Sequence, residues 1–265
     1  MADEPKHYKQ HQIRTEHGVF HAHFYGNGSA YALAIHGFGQ DGTYFQTLSA
    51  QFPQLTICAL DLPWHGQTQW QTDVLQLRDF DPIIRFLDQE GPIHLIGFSM
   101  GARIAIALSQ AYPRLTRSIT LLSPDGIAGP YHWLTEQVPG RFRKRLARWL
   151  DQPEWLLQLS NRLHEYGVLG RFPRAFVQKH LKDPRQRERL FKCWLSLTNF
   201  PTTLGANVHT PTCFVLGKRD QLVQIEAIRK FAEVLRQPYI HIIDRGHDVL
   251  PLPPLEGLFP EPFDT

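Results

Sequence analysis

The 265-residue chain has little of what marks several protein classes. It has only three cysteines, and two of them, Cys58 and Cys213, stand in short apolar runs, as buried thiols do, so no disulfide framework is expected. No Cys/His pair has the spacing of a zinc site, which predicts that the protein holds no structural metal. No apolar run reaches the ~18 residues of a membrane-spanning helix, and residues 1–12 lack the apolar core of a secretory signal. These absences predict a soluble, cytoplasmic protein.

The net charge of +3 hides an uneven distribution. Residues 141–192 carry 14 lysines and arginines against five acidic residues, whereas the rest of the chain carries 14 basic and 20 acidic residues. No recognition motif for nucleic acid accompanies the basic segment, so no nucleic-acid partner is expected. The segment would attract an anionic substrate or rest on an acidic membrane surface. The favoured interpretation is a solvated basic face with apolar stems packed beneath it.

Short apolar runs bounded by turn residues alternate with segments of helical spacing. After an opening hairpin within residues 13–25, the runs cover residues 30–35, 55–62, 93–98, 119–122, 213–216 and 240–243. Runs that are apolar on both faces are typical of parallel strands buried between helices. Helical spacing lies between them, at residues 80–87, 104–111 and 225–235. The alternation predicts an α/β fold with a doubly wound, mostly parallel sheet.

The alternation is interrupted once, between residues 126 and 205. That stretch has no strand-like run, but it has four helical candidates, at residues 141–150, 153–166, 173–181 and 187–197. The sequence therefore predicts a core formed by residues 1–125 and 206–265 and an inserted helical cap formed by residues 126–205. Five prolines between residues 251 and 262 argue against a long final helix.

The strongest local motif is Gly-Phe-Ser-Met-Gly at residues 97–101, directly after a predicted strand and before a predicted helix. A serine at such a tight turn is held in a strained backbone conformation, which exposes its hydroxyl above the strand ends. The following helix N-terminus supplies free N–H groups, and that of Met100 would face the oxyanion formed on an attacked carbonyl. The motif predicts Ser99 as a nucleophile, and a Gly/Ser turn without chemistry is the alternative.

A serine nucleophile needs a base, and two later loops offer the partners. Asp220 follows the predicted strand at residues 213–216, and His247 follows the one at 240–243. The carboxyl ends of parallel strands are where open α/β sheets place their ligands. We therefore expect His247 to take the Ser99 proton and Asp220 to orient the imidazole. Asp125 is a rival for the acid, since it follows another strand, and each residue has a purely structural alternative: a helix cap for Asp220 and a loop histidine for His247.

A second oxyanion donor is expected from the loop after the strand at residues 30–35. It begins His-Gly-Phe-Gly at residues 36–39, and its glycines free the backbone to turn the Phe38 N–H toward the oxygen that Met100 faces. Two other histidines, His36 and His65, are interpreted as structural, with ring nitrogens bonded to nearby backbone.

The chain resembles the α/β-hydrolase superfamily, in its branch of small bacterial esterase-like enzymes with a helical cap. The resemblance covers residues 20–250 and rests on the motifs at residues 36–39, 61–66, 97–101, 217–220 and 246–247. It implies an eight-stranded sheet, a Ser-Asp-His triad at the three positions already singled out, an oxyanion hole at Phe38 and Met100, and no cofactor. In two places the chain departs from the family: Trp64 stands where relatives often have glycine, and a proline-rich tail replaces much of the usual last helix.

The leading functional prediction is a cofactor-independent serine hydrolase that cleaves a small-molecule carboxylic ester or thioester through an acyl-enzyme on Ser99. Trp64 and Arg103 are its candidate substrate-binding residues. Arg103 also resembles an arginine of the menaquinone-pathway lyases of this superfamily, which implies a rival activity, the elimination of pyruvate by the same triad. A third alternative is a non-catalytic binding protein with this fold. The sequence does not define the acyl group or the oligomeric state.

Overall fold

The computed structural model describes residues 7–125, 127, 154–167, 181–197, 200 and 210–260. Within these residues the chain forms nine strands: β1 (Tyr8–Arg14), β2 (Gly18–Tyr25), β3 (Ala30–Ile35), β4 (Leu55–Asp61), β5 (Gln69–Trp70), β6 (Ile93–Phe98), β7 (Thr116–Leu122), β8 (Thr212–Gly217) and β9 (Tyr239–Ile243). The described α-helices are α1 (Gln46–Gln51), α2 (Asp81–Leu87), α3 (Met100–Ala111), α4 (Glu154–Glu165), α5 (Pro184–Leu197) and α6 (Ile225–Ala232). Short 3-10 helices cover Gly42–Phe45, Leu77–Phe80 and Asp88–Glu90.

All nine strands belong to one sheet. Eight of them follow the order β1-β2-β4-β3-β6-β7-β8-β9, and the two-residue β5 pairs with β2. β2 pairs antiparallel with β1, β4 and β5, whereas every other pair, from β4 across to β9, is parallel. This confirms the predicted α/β fold with a mostly parallel sheet. The chain winds one way from β3 to β4 and the other way from β6 to β9, so the sheet changes winding direction between the neighbouring strands β3 and β6.

Both faces of the sheet are covered by apolar side chains, as the strand sequences predict. On β3, Leu33 and Ile35 belong to one buried cluster and Ala32 and Ala34 to another, because successive side chains of a strand point to opposite faces. The first cluster includes most apolar residues of α2 and α3, and the second includes Leu48 of α1 and residues of the C-terminal segment. Burial on both faces is why these strands are continuous apolar runs.

The C-terminal segment after β9 contains no helix in residues 244–260, in line with the prediction from its prolines. It nevertheless contributes to the core, since Val249, Leu250, Leu252 and Leu258 are all buried in the second cluster. Within residues 244–260, non-helical backbone therefore carries the apolar side chains that cover this part of the sheet.

The predicted cap is described only in part. Two of its four helical candidates correspond to α4 and α5, while residues 141–150 and all but the last residue of 173–181 lie outside the described residues. α5 is attached to the core: Ser196 Oγ accepts a 2.9 Å hydrogen bond from the Leu75 N–H, and Lys192 Nζ lies 3.0 Å from Asp73 Oδ1. That residues 126–205 form one cap over the strand ends stays a prediction.

Candidate active site

Ser99 lies at the turn between β6 and α3 in a strained conformation. Its backbone has φ 51° and ψ −118°, in the left-handed half of φ space, where residues other than glycine are uncommon. The flanking glycines are required by close approach. A Cβ on Gly101 would lie 2.1 Å from the Ile35 carbonyl oxygen, and one on Gly97 would lie 2.4 Å from the Ala102 Cα. The glycines thus let helix α3 press against β3 and β6, which fixes Ser99 at the end of the sheet.

Three side chains from three strand ends form one hydrogen-bonded chain. Ser99 Oγ lies 2.8 Å from His247 Nε2, and His247 Nδ1 lies 2.8 Å from Asp220 Oδ2. Because a carboxylate can only accept, Nδ1 carries the ring proton and Nε2 is left to accept the Ser99 hydroxyl. The structure therefore brings together the three residues that the sequence singled out as nucleophile, base and acid.

Asp220 is held as an anion by its surroundings. Its side chain is 1% exposed. Burial raises the pKa of this carboxyl, but His247 and the N–H groups of Leu222 and Val223, which donate to Oδ1 over 2.8 and 3.1 Å, bring its pKa below the ordinary value. Asp220 is not the helix cap that the sequence offered as its alternative role, because the N-cap of α6 is Gln224. One oxygen of Asp220 instead accepts from the turn before α6, while the other oxygen bonds His247.

The loops after β8 and β9 are clamped together, which brings Asp220 to His247. A Cβ on Gly217 would lie 1.9 Å from the Gly246 carbonyl oxygen, so only glycine permits this approach. The Arg219 N–H donates to the Arg245 carbonyl over 2.8 Å. The rival acid, Asp125, is exposed, and its backbone N–H donates to the Ser99 carbonyl over 3.3 Å.

The loop after β3 packs directly against the serine. A Cβ on Gly37 would meet the Ser99 Cβ at 3.0 Å, and Phe38 follows as a half-buried residue. Met100 is the first residue of α3, where backbone N–H groups have no carbonyl partner inside the helix. The backbone of both predicted oxyanion donors is therefore close to Ser99 in the fold.

His36 and His65 hold this loop. His36 Nδ1 donates to the Gly37 carbonyl over 2.7 Å, and Nε2 accepts from the Leu62 N–H over 2.9 Å. His65 Nδ1 donates to the Pro63 carbonyl over 2.9 Å, and Nε2 accepts from the Gly39 N–H over 3.1 Å. Burial lowers the pKa of His36 to about 4 and that of His65 to about 3, so both stay neutral. Their bonds are the backbone contacts expected of structural histidines.

The two candidate substrate-binding residues have different surroundings. Arg103 is 1% exposed, and its Nε donates to the Phe200 carbonyl over 2.7 Å, a contact that ties α3 to the end of the cap segment. This contact gives Arg103 a structural role and gives no support to the lyase prediction. Trp64 has φ 65° and is half-buried, and together with Met100 and Leu197 it lines a small apolar cavity between α3 and α5.

One contact beside the triad was missed by the sequence analysis. The Tyr44 hydroxyl donates to Asp248 Oδ1 over 2.8 Å, and Asp248 directly follows His247. The Phe98 ring contacts both Tyr44 and His247, with ring centroids 4.5 Å from that of Tyr44 and 5.3 Å from that of His247. The loop after β3 therefore contacts the loop after β9 that carries His247, which we call the histidine loop. The two bonded residues are 204 positions apart in the chain, so no local pattern indicates the contact.

Similarity to known proteins identifies the family of the chain. The sequence profile of the alpha/beta hydrolase family matches residues 32–259. The chain belongs to the alpha/beta hydrolase family. Among curated relatives of this alpha/beta hydrolase, a dihydrolipoyllysine-residue acetyltransferase component of an acetoin cleaving system from Cupriavidus necator is 36% identical over 38% of the chain and 28% of its own length. A pimeloyl-[acyl-carrier protein] methyl ester esterase from Neisseria meningitidis is 28% identical over 52% of the chain and 55% of its own length.

The fold of this alpha/beta hydrolase extends over nearly the whole chain. A thermophilic esterase from Thermogutta terrifontis superposes with a TM-score of 0.63 at 18% identity, covering 91% of the chain and 92% of the esterase. That identity shows a shared fold only. The chain spans about a quarter to about half of the length of the two curated relatives named above. Among the described residues, no helix combines the length and apolar character that crossing a membrane requires.

Proposed function

We propose that the chain is a cofactor-independent serine hydrolase that cleaves a carboxylic ester or thioester through an acyl-enzyme on Ser99. The observation that carries this proposal is the continuous hydrogen-bonded chain from Ser99 through His247 to Asp220, with two contacts of 2.8 Å. Serine, imidazole and carboxylate in that order are the parts that acyl transfer needs, and no cofactor takes part.

In the proposed reaction His247 Nε2 accepts the Ser99 proton while Oγ attacks the carbonyl carbon of the substrate. The N–H groups of Phe38 and Met100 stabilise the negative charge that develops on the carbonyl oxygen. The C–O or C–S bond then breaks, and the imidazolium returns the proton to the leaving group. Water, deprotonated by the same imidazole, attacks the carbonyl carbon of the acyl-enzyme. The bond to Ser99 Oγ breaks, the acid is released, and the imidazolium returns its proton to Oγ. Asp220 holds the imidazole in the required tautomer and stabilises its protonated form.

The surroundings of the serine set no acyl-chain length. The apolar cavity lined by Trp64, Met100 and Leu197 begins one residue from the nucleophile, but its volume of about 10 Å³ is room for about one water molecule. The relative from Neisseria meningitidis is named as a methyl ester esterase, which supports ester hydrolysis. We propose that residues 126–205 cap the site, and that their surplus of basic residues favours anionic substrates through the field they create.

The experiment measures hydrolysis of p-nitrophenyl esters of graded chain length and of acyl-CoA thioesters by the full chain. Ser99→Ala is expected to remove turnover of every substrate that the wild type cleaves. Ser109→Ala is the matched control, because Ser109 is also a buried serine of α3 but its Oγ donates to the Ile106 carbonyl over 2.7 Å. Turnover that survives in Ser99→Ala, or its equal loss in both variants, would contradict the assignment.

A further inference from the structure

A buried cluster of two histidines and one carboxylate lies on β2 and β4, and none of its members belongs to the triad. His21 and His23 are two residues apart on β2, so their side chains share one face of the sheet. Asp61, the last residue of β4, pairs directly with His21 in the antiparallel register. One ring nitrogen of each histidine and one oxygen of Asp61 all lie within 4.8 Å of one another.

The polar atoms of this cluster are unequally satisfied. His23 Nε2 lies 3.0 Å from Asp61 Oδ1, and His23 Nδ1 lies 2.7 Å from the Tyr8 hydroxyl. His21 is 6% exposed, and its Nε2 is buried without a hydrogen-bond partner among the described residues. Buried polar atoms are nearly always hydrogen-bonded. The unbonded Nε2 of His21 therefore indicates a ligand at this group of two imidazoles and a carboxylate.

We propose that His21, His23 and Asp61 form a binding site for one divalent transition-metal ion, with Zn²⁺ as the fitting ion. Two imidazoles and a carboxylate form a donor set that zinc takes in tetrahedral sites, with a fourth position for water. Ligand atoms around such an ion lie roughly 3.4 Å apart, as follows from Zn–N and Zn–O distances of about 2.1 Å. The His23–Asp61 pair, at 3.0 Å, already has nearly this separation. Because no two ligand atoms are more than 4.8 Å apart, the His21 nitrogen needs to move closer by about 1.4 Å at most.

Zinc binding would shift a proton within the His23 ring. In the metal-free form His23 Nε2–H donates a hydrogen bond to Asp61, and Nδ1 accepts one from the Tyr8 hydroxyl. When Zn²⁺ coordinates Nε2, His23 changes tautomer, and Nδ1–H donates to the Tyr8 oxygen instead. A ligating histidine that donates its other N–H to a fixed acceptor is the usual supporting contact of a metal site. The ion displaces the His23–Asp61 hydrogen bond and releases no net proton from the imidazole.

Spacing rules do not detect this site, because its ligands come from strand alternation and cross-strand pairing. The expectation that no structural metal is present rested on the absence of zinc-type Cys/His spacing, which remains true of the sequence. Asp61 Oδ1 also accepts a 2.8 Å hydrogen bond from the Gly42 N–H. A bound ion would therefore join the N-terminal hairpin, β4 and the loop after β3.

The test uses the full chain, stripped of metal with a chelator and dialysed, and titrated with Zn²⁺ alone. We expect one Zn²⁺ per chain by metal analysis, together with a rise in the midpoint of thermal unfolding. His21→Leu is expected to lower the Zn²⁺ affinity at least tenfold and to remove the thermal shift. Tyr8→Phe, which removes only the supporting contact, is expected to weaken binding about tenfold.

The matched control is His241→Leu. His241 also has a buried Nε2 without a hydrogen-bond partner among the described residues, but it lies on β9, at the opposite edge of the sheet from β1. This variant should keep wild-type stoichiometry and affinity. If Zn²⁺ leaves the wild-type unfolding midpoint unchanged, or if His21→Leu and Tyr8→Phe both bind Zn²⁺ as tightly as the wild type, the proposal is overturned and any bound zinc is adventitious.

Discussion

Replacing Asp220 with asparagine removes the charge of the proposed triad carboxylate while keeping its shape. Oδ1 would still accept the N–H groups of Leu222 and Val223, which now lie 2.8 and 3.1 Å away. The amide nitrogen would take the place of Oδ2 and face His247 Nδ1 as a donor. The imidazole then carries its proton on Nε2, where it can no longer accept the Ser99 proton.

The expected loss is about 10⁴-fold in kcat, as for a serine triad whose histidine is held in the wrong tautomer. This corresponds to about 5.4 kcal/mol in the activation barrier. KM should change little, because Asp220 is buried behind His247 and does not reach the substrate. The assay is steady-state hydrolysis of the best p-nitrophenyl ester at saturating concentration, with thermal unfolding measured in parallel to show that the variant is folded.

Asp244→Asn is the matched control for that variant. Asp244 lies in the loop after β9 that carries His247, but its side chain is 80% exposed and pairs with Arg219 over 3.1 Å. An exposed pair contributes about 1 kcal/mol or less, so kcat should stay within about twofold of the wild type. A folded Asp220→Asn variant that keeps more than a tenth of wild-type kcat would refute the assignment of Asp220.

Three further predictions follow from the packing around the site. Gly101→Ala places a Cβ 2.1 Å from the Ile35 carbonyl oxygen. It is expected to lower the free energy of unfolding in urea by about 1–3 kcal/mol and to abolish activity. Gly246→Ala is the control, because its added carbon meets nothing within 4 Å, and it should lower the free energy of unfolding far less. Tyr44→Phe removes the donor to Asp248 and should lower kcat a few-fold with KM unchanged, whereas an unchanged kcat would show that this contact does not position His247. Because burial lowers the pKa of His36 from 6.5 to about 4 and that of His65 to about 3, the unfolded chain binds more protons than the folded one below pH 6.5. The contribution of the two histidines to the free energy of unfolding in urea should therefore be fully present above pH 6.5. It should fall by about 1.4 kcal/mol per pH unit for each histidine as the pH falls toward 4. A free energy of unfolding that stays constant over that range would contradict the neutral, buried state of the two rings.

The strands that the sequence predicts well are those buried on both faces. Residues 30–35 and 93–98 match β3 and β6 at both ends, since apolar runs there stop at turn residues. β1 begins at Tyr8, five residues before the predicted hairpin, because its exposed edge is mostly polar and has no apolar signal. β7 likewise begins at Thr116, three residues before the apolar run that predicted it. Patterns of burial therefore define central strands and miss the ends that face water.

The candidate site follows the same division. Ser99, Asp220 and His247 were predictable because each follows a strand of one parallel sheet, and parallel strands bring their carboxyl ends to one edge. The Tyr44–Asp248 contact and the cluster of His21, His23 and Asp61 were not, since they depend on which strands are neighbours and on how side chains are turned. Such contacts have no spacing in the sequence that distinguishes them from ordinary polar residues.

Peptide mapping by mass spectrometry after treatment with an organophosphonate probe tests the central claim most directly. The probe phosphonylates an activated serine irreversibly, so the adduct reports which hydroxyl the protein has made nucleophilic. We expect one phosphonate per chain, on the peptide that contains Ser99, and no adduct in Ser99→Ala. An adduct on another residue, or labelling that persists in Ser99→Ala, would contradict the account.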